Sequence, residues 1–145
     1  ILHSAQGVDM IVLGTHGRRD PGRWWLGSVA ERVVRAAAVP VLVTRVSASP
    51  LAEVFKYMTL VHDGPESDVA GACARSLAAI AEGEVVDGGS AGNCSAGTIR
   101  QASLVVVARG VERPSWGLSD PAARVLTACD APILFIPART NGEVQ

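Results

Sequence analysis

Three glycines and a serine near the start of the chain have the types and spacing of a phosphate-binding turn. Gly14 follows the short apolar run 9–13, Gly17 comes three positions later, and Gly27 and Ser28 follow a spacer of nine residues. A glycine after a buried strand lets the backbone turn sharply and approach a phosphate closely. At a helix start such as Ser28, free N–H groups and the helix dipole favour an anion. The pattern predicts a phosphate cradle.

Each of these residues also has an ordinary structural interpretation. Gly14 and Gly17 could merely form a tight turn, and Ser28 could merely cap a helix. Their combination is less often accidental. It is not the P-loop pattern, because no Gly-Lys-Ser/Thr follows, and it is not the dinucleotide fingerprint, because the glycine spacing differs. The turn therefore indicates a different class of nucleotide-binding protein.

Short apolar runs and a helical pattern place this turn in an α/β fold. The run 9–13 is typical of a central strand buried on both faces of a parallel sheet. From Ser28 onward apolar residues recur at helical spacing, and 39–43 supplies a second strand. We expect strand, long turn, helix and strand, with the turn at the carboxyl end of a strand, where open α/β sheets bind ligands.

The remainder of the chain predicts more elements of the same kind, and a repetition. The expected strands are 57–62, 84–86, 104–107 and 132–136, and the expected helices are about 67–80 and 120–128. Outside 84–86, the Gly- and Ser-rich passage 83–97 predicts no regular element. The apolar patterns at 8–13 and 39–43 recur at 102–107 and 131–135, and this long period indicates a duplicated α/β module rather than a solenoid.

Composition and charge argue against several other classes of protein. The chain of 145 residues suits a soluble globule with a real core, and its formal net charge of −1 offers no attraction to nucleic acid or anionic membrane. No apolar stretch approaches a membrane span, and no signal-like segment opens the chain. The three cysteines lack metal-ligand spacing. We expect a cytoplasmic protein with reduced thiols, no metal site, and neither nucleic-acid nor membrane partners.

The stretches 9–19, 26–35 and 39–43 resemble the universal stress protein family. The family's ATP-binding hallmark is a glycine, two residues, a second glycine, nine residues, and then a glycine followed by a serine. This chain contains that hallmark in full. The resemblance implies a Rossmann-like open parallel sheet flanked by helices, a stress-response role, and ATP with its accompanying Mg²⁺. The residues that it places around the ribose and phosphates are Leu13, Gly14, Gly17, Gly27, Ser28 and Val29. His16, Arg18 and Asp63 are further candidates, Asp63 as the acid near the sugar and base.

The second half resembles the same family more loosely, which implies two family copies in one chain. The implied division is 1–46 for the C-terminal part of a first copy, 47–56 for a linker, 57–139 for a degenerate second copy and 140–145 for a tail. Ala108 and Asp120 stand in the second copy where the first has Gly14 and Ser28. A carboxylate at that place repels phosphate, so we expect no ATP in the second copy.

Family members of this tandem type pair through their last strands, here 41–44 and 133–136. We therefore expect an intrachain pseudo-dimer, or a homodimer, through these strands. The first copy lacks the family's preceding strands, which carry half of the site, so Asp63 could serve a composite pocket. An alternative is an interaction module of this fold whose site has decayed. No catalytic residue is expected, because His16 lacks the partners of a nucleophilic triad, and any ATP hydrolysis or autophosphorylation would be slow.

Overall fold

A computed structural model describes residues 7–15, 28–45, 50–62, 67–90, 93–109 and 130–137. The described elements are β1 (Ile11–Thr15), α1 (Ser28–Ala36), β2 (Val41–Arg45), α2 (Leu51–Val54), β3 (Tyr57–His62), α3 (Ser67–Ala81), β4 (Glu84–Ser90), α4 (Ala96–Gln101), β5 (Leu104–Arg109) and β6 (Ile133–Pro137). The expected strands and the helices at 28 and 67 are confirmed, while the helix predicted at 120–128 lies outside the described residues. In the described ranges, no helix has both the length and the apolar character needed to cross a bilayer.

The described strands form one sheet in the order β1-β2-β6-β5-β3-β4. Neighbouring strands are parallel except for β2 and β6, which are antiparallel. The α/β class is thus confirmed, with a mostly parallel sheet flanked by helices. Because the direction reverses between β2 and β6, β1 and β2 end at one rim of the sheet, which we call the upper rim. The strands β3 to β6 end at the opposite, lower rim.

Two apolar layers cover the two faces of the sheet. One layer packs beneath α1 and α4, with Val34 and Ile99 among its buried helical residues. The other packs beneath α2 and α3 and includes Leu42 of β2. The continuous apolar runs of β5 and β6 are buried on both faces, as expected for strands with neighbours on each side and helices above and below. The core therefore includes residues from the strands on both sides of the antiparallel junction between β2 and β6.

The strand pairs β1–β2 and β5–β6 are built alike. Both are parallel and have corresponding registers. The Ile11 N–H donates to the Pro40 carbonyl at 2.9 Å, and the Val105 N–H donates to the Pro132 carbonyl at 3.0 Å. These are the residues that the sequence repetition aligns, so the repeated pattern corresponds to a repeated strand pairing.

The antiparallel junction between these two strand pairs is symmetric. The paired residues are Val41 with Phe135, Leu42 with Leu134 and Val43 with Ile133. The sequence repetition relates residues 41–43 of β2 to residues 133–135 of β6. Exchanging the related residues converts each of the three pairs into one of the same three, and converts Leu42–Leu134 into itself. The two strand pairs are therefore related by an approximate twofold axis through this central pair.

The prediction that 9–13 is a central strand was wrong. β1 lies at the end of the described sheet, and Val12 is 57% exposed, although Ile11 is buried. The corresponding strand β5 has a second neighbour, β3, and its Val106 is fully buried. An apolar run shows which faces of a strand are suited to burial, but it does not show whether a neighbouring strand is present.

The Gly- and Ser-rich passage also contains more regular structure than its composition predicts. β4 extends to Ser90, well beyond the short strand expected at 84–86, and α4 follows it. Ser95 caps α4, because its hydroxyl accepts a hydrogen bond from the Thr98 N–H at 3.1 Å. Local capping therefore starts a short helix in a segment whose composition favours loops.

The end of α3 is a left-handed helix cap. Glu82 has φ of 51°, and the Gly83 N–H donates to the Ala78 carbonyl at 2.9 Å, which is the hydrogen bond of a Schellman motif. A Cβ at Gly83 would lie 2.1 Å from the carbonyl oxygen of Phe55. Glycine is therefore required at position 83 by close backbone packing, whereas the left-handed position is occupied by glutamate.

Candidate functional site

The candidate site consists of the end of β1, at the upper rim, and the start of α1, which follows β1 along the chain. Of the predicted nucleotide contacts, the structure describes Leu13, Gly14, Ser28 and Val29. The others, His16, Gly17, Arg18, Gly27 and Asp63, lie outside the described residues. The described part of the site therefore consists of a strand end and a helix start.

Gly14 is exposed near the end of β1, and the described structure gives no packing reason for a glycine there. A Cβ built on Gly14 would have no heavy atom of the described residues within 4 Å, and its φ lies outside the left-handed region. Neither a close contact nor an unusual backbone angle excludes a side chain at this position. As far as the described residues go, the space beside Gly14 is open to a ligand that approaches the backbone.

The first turn of α1 is exposed, whereas the middle of the helix packs firmly against the sheet. Val33 and Val34 are 3% and 0% exposed and fix α1 against the sheet. Ser28 and Val29 in the first turn are exposed, Val29 by 63%. A helix of nine residues has N-terminal N–H groups without intrahelical partners and a positive dipole end. This end of α1 is suited to an anion.

One acidic residue lies in the first turn of α1, where it would oppose an anion. Glu31 forms an ion pair with Arg35 one turn later, with an oxygen–nitrogen distance of 2.6 Å. Both side chains are partly exposed, so solvent weakens the pair, but the guanidinium still offsets much of the carboxylate charge. The local charge of the first turn therefore remains compatible with an anionic ligand.

Thr44 is a rim residue that sequence reasoning missed. It pairs with Gly14 in the register of β1 and β2, and its hydroxyl donates to the Leu13 carbonyl at 3.5 Å. Leu13 is partly buried and packs against the core, so its side chain has a structural role at the base of the turn. The sequence does show a threonine at the end of the second strand. Its position beside Gly14 could not be predicted from that, because it depends on the register between the two strands.

The described end of β3 lies far from Gly14. β3 ends at His62 on the lower rim, whereas β1 ends on the upper rim. Three strands separate β1 from β3, so four spacings of about 4.8 Å place these strands about 19 Å apart across the sheet. Asp63 itself lies outside the described residues.

The corresponding strand end in the second half differs at the residue level. Ala108 pairs with Ile136 as Gly14 pairs with Thr44. Ala108 is half-buried and packs against the core, so a methyl group lies at the position that Gly14 leaves open. Asp120 lies outside the described residues. The two corresponding strand ends therefore differ in that a Cβ position is open at Gly14 and filled at Ala108.

The described cysteines are not activated nucleophiles. Burial raises the pKa of the Cys73 thiol, and burial together with the Asp87 carboxylate raises the pKa of the Cys94 thiol. Both thiols are free and remain protonated at neutral pH. Among the described residues, no group of three or more His, Cys, Asp or Glu side chains is arranged to hold a metal ion.

Comparison with known proteins relates the segment that contains the turn to one family. Residues 2–45, which include β1, α1 and β2, match the model of the Universal stress protein family. No curated protein matches the chain. The family match covers less than half of the sequence.

Solved structures with a similar fold cover nearly all of this chain. The chain is similar to a universal stress protein from Archaeoglobus fulgidus DSM 4304, with a TM-score of 0.75 and 15% identity over 94% of this chain. It is also similar to a protein of unknown function from Pseudomonas aeruginosa PAO1, with a TM-score of 0.65 and 16% identity over 94% of this chain. The chain spans 65% of the length of each of these proteins. At such identities the likeness shows a shared α/β fold.

Proposed function

We propose that this protein is an ATP-binding regulatory module of the stress-response class, with the nucleotide phosphates at the turn between β1 and α1. The observation that carries the proposal is Gly14: it lies at the carboxyl end of a parallel strand, and no described packing or backbone angle requires a glycine there. Open α/β sheets bind ligands at such strand ends. The missing side chain then serves the close approach of a phosphate.

In this proposal, backbone groups make most of the contacts with the nucleotide. N–H groups of the glycine turn and of the first turn of α1 donate to phosphate oxygens, and the Ser28 hydroxyl adds one more donor. Gly17 and Gly27 allow the chain to follow the phosphates, while His16 and Arg18 are further candidate contacts. Mg²⁺ bound to the triphosphate would supply charge neutralisation.

We further propose that the chain is an intrachain pseudo-dimer of two related units, of which the second has lost its phosphate turn. The shared register of β1–β2 and β5–β6, and the symmetric junction of β2 with β6, support this arrangement. The strands named as interface edges, 41–44 and 133–136, pair with each other within this chain. One unit therefore binds nucleotide, and the other serves as its structural partner.

The proposed role of this site is regulation rather than turnover. In the sequence His16 lacks the partners of a nucleophilic triad, so any hydrolysis of ATP would be slow. Bound ATP would act by favouring one conformation or one set of partner contacts.

The test is calorimetric titration of the 145-residue chain with ATP, AMP and GTP in the presence of Mg²⁺. We expect saturable binding of ATP that weakens about tenfold or more in Ser28→Ala, because one hydrogen bond to a charged group contributes about 1.5–3 kcal/mol. Ser95→Ala is the matched control, since Ser95 also starts a helix but its hydroxyl already caps α4. This control should bind ATP as the parent does.

Absence of saturable binding at millimolar ATP would refute the proposal and favour the interaction module with a decayed site. Equal loss of affinity in Ser28→Ala and Ser95→Ala would show that the effect is indirect. A Ser28→Ala variant with unchanged affinity would place the phosphates elsewhere.

A further inference from the structure

Three polar residues lie along one solvent-facing side of α1. Ser28, Glu31 and Arg35 are spaced three and four residues apart, which places their side chains on the same side of a helix. Ser28 is exposed, and the side chains of Glu31 and Arg35 are partly exposed. The buried Val33 and Val34 lie on the side that faces the sheet. This row therefore connects the helix start, where the phosphates are proposed to bind, to the ion pair further along α1.

Glu31 has the position of a carboxylate that competes with phosphate. A serine, two residues and a glutamate is the spacing at which the glutamate side chain reaches back to free N–H groups at a helix start. The helix dipole also favours an acidic side chain in the first turn, where Glu31 lies. A phosphate binds the same N–H groups at the same end of the dipole. An unpaired Glu31 would therefore oppose the proposed ligand.

The Glu31 carboxylate lies against Arg35 and not at the helix start. One of its oxygens is 2.6 Å from a guanidinium nitrogen of Arg35. No hydrogen bond joins this carboxylate to a backbone N–H in the described first turn of α1. Helical side chains lean toward the N-terminus, so Arg35 reaches back to Glu31 from the following turn. Arg35 thus draws the carboxylate away from the N–H groups that begin the helix.

We propose that Arg35 is a positioning residue of the ATP site, because its pairing with Glu31 keeps the start of α1 open to the nucleotide phosphates. This inference rests on the proposed function, since it concerns the same site. Without Arg35, the Glu31 carboxylate would accept hydrogen bonds from the free N–H groups and would repel phosphate. The repulsion grows with the charge of the ligand, so the ion pair favours ATP over AMP.

The first experiment is calorimetric titration of the 145-residue chain and its variants with ATP and AMP in the presence of Mg²⁺. Arg35→Gln should weaken ATP binding about threefold or more, because an uncompensated charge at a helix start changes affinity by about this factor. The loss should be smaller for AMP, which carries fewer negative charges.

Glu31→Gln distinguishes positioning from support of the helix. It breaks the same ion pair but removes the competing carboxylate, so ATP should bind at least as tightly as to the parent. Adding Arg35→Gln to Glu31→Gln should then change ATP affinity by less than about twofold. Arg75→Gln is the charge control, because Arg75 is exposed on α3, which packs on the other face of the sheet. It should bind ATP within about twofold of the parent.

Amide hydrogen exchange measured by NMR tests the positioning step in the absence of nucleotide. In Arg35→Gln the released carboxylate should slow exchange at Ser28 and Val29 about twofold or more, because it accepts hydrogen bonds from the start of the helix. Arg75→Gln should leave these amides unchanged. Circular dichroism of all variants establishes that they are folded.

The outcomes separate this inference from the proposed function. If the parent shows no saturable ATP binding, the proposed function fails and the inference fails with it. If the parent binds ATP and Arg35→Gln binds it equally well, the inference alone is wrong. Equal losses in Arg35→Gln and Glu31→Gln would show that the pair merely supports the helix, and an equal loss in Arg75→Gln would show an effect of net charge. Either result would overturn the inference, as would unchanged amide exchange in Arg35→Gln.

Discussion

The substitution Gly14→Ala tests whether glycine is needed at this position by the fold or by a bound ligand. In the folded chain the added methyl group meets no heavy atom of the described residues within 4 Å, and the backbone angle at Gly14 is one that alanine adopts. The folded state should therefore accept the substitution without strain. The same methyl group would occupy the space through which a phosphate approaches the backbone in the proposed site.

The two expected effects have opposite signs. Replacing glycine by alanine within a strand raises the free energy of unfolding by about 0.5–1 kcal/mol, because the unfolded chain loses conformational freedom. For a chain of this size that is a rise in Tm of about 1–4 °C. ATP affinity should fall about tenfold or more, since a displaced phosphate loses charge-assisted hydrogen bonds of about 1.5–3 kcal/mol each.

Thermal unfolding without nucleotide and calorimetric titration with ATP measure the two effects separately, and two other glycines calibrate them. Gly97→Ala lies in α4 with its new methyl at ordinary contact distance, 3.8 Å from the Ser95 hydroxyl, so it should raise Tm and leave ATP binding unchanged. Gly83→Ala should lower Tm strongly, because its methyl would lie 2.1 Å from the carbonyl oxygen of Phe55.

Either of two results for Gly14→Ala would refute the reasoning. A lower Tm in the absence of nucleotide would show that Gly14 is needed by the fold. A higher Tm with unchanged ATP affinity would show that the open space beside Gly14 does not hold phosphate.

Two further substitutions test local features of the described structure. Glu82→Gly should raise the free energy of unfolding in urea by about 0.5–1 kcal/mol, because glycine adopts the left-handed angle without steric cost. Glu84→Gly, in β4, should lower it, and an unstabilised Glu82→Gly would contradict the assigned cap. Asp87→Asn should speed iodoacetamide alkylation of Cys94 at pH 8 and not that of Cys73, since removing the carboxylate lowers the pKa of the Cys94 thiol. Equal rates in parent and variant would exclude this electrostatic effect.

The α/β class and most element positions could be predicted from the sequence, because buried parallel strands are continuous apolar runs and α1 has a clear helical period. β3, for example, was predicted at 57–62 and is found there. α4 was missed because its short helix depends on a local cap at Ser95 rather than on apolar periodicity.

The candidate site was predictable only in its local part. The place of Gly14 at a strand end and of Ser28 at a helix start follows from neighbouring residues. The position of Thr44 beside Gly14 depends on strand register, and the separation of the end of β3 from Gly14 depends on strand direction. Both are properties of pairing between distant segments, which a local pattern does not encode. The exposure of Val12 has the same origin, because in the described sheet β1 pairs with β2 alone.

The antiparallel junction of β2 with β6 has a consequence for cooperativity. The two parts of the sheet are hydrogen-bonded through three residue pairs, whereas β3, β4, β5 and β6 are linked by longer parallel ladders. A short junction is the natural place for partial unfolding, so β1, α1 and β2 should open as one unit before the rest of the molecule. Anything that binds this unit would then act on a local equilibrium between closed and open forms, and its effect would reach the remainder of the chain through the Leu42–Leu134 pair.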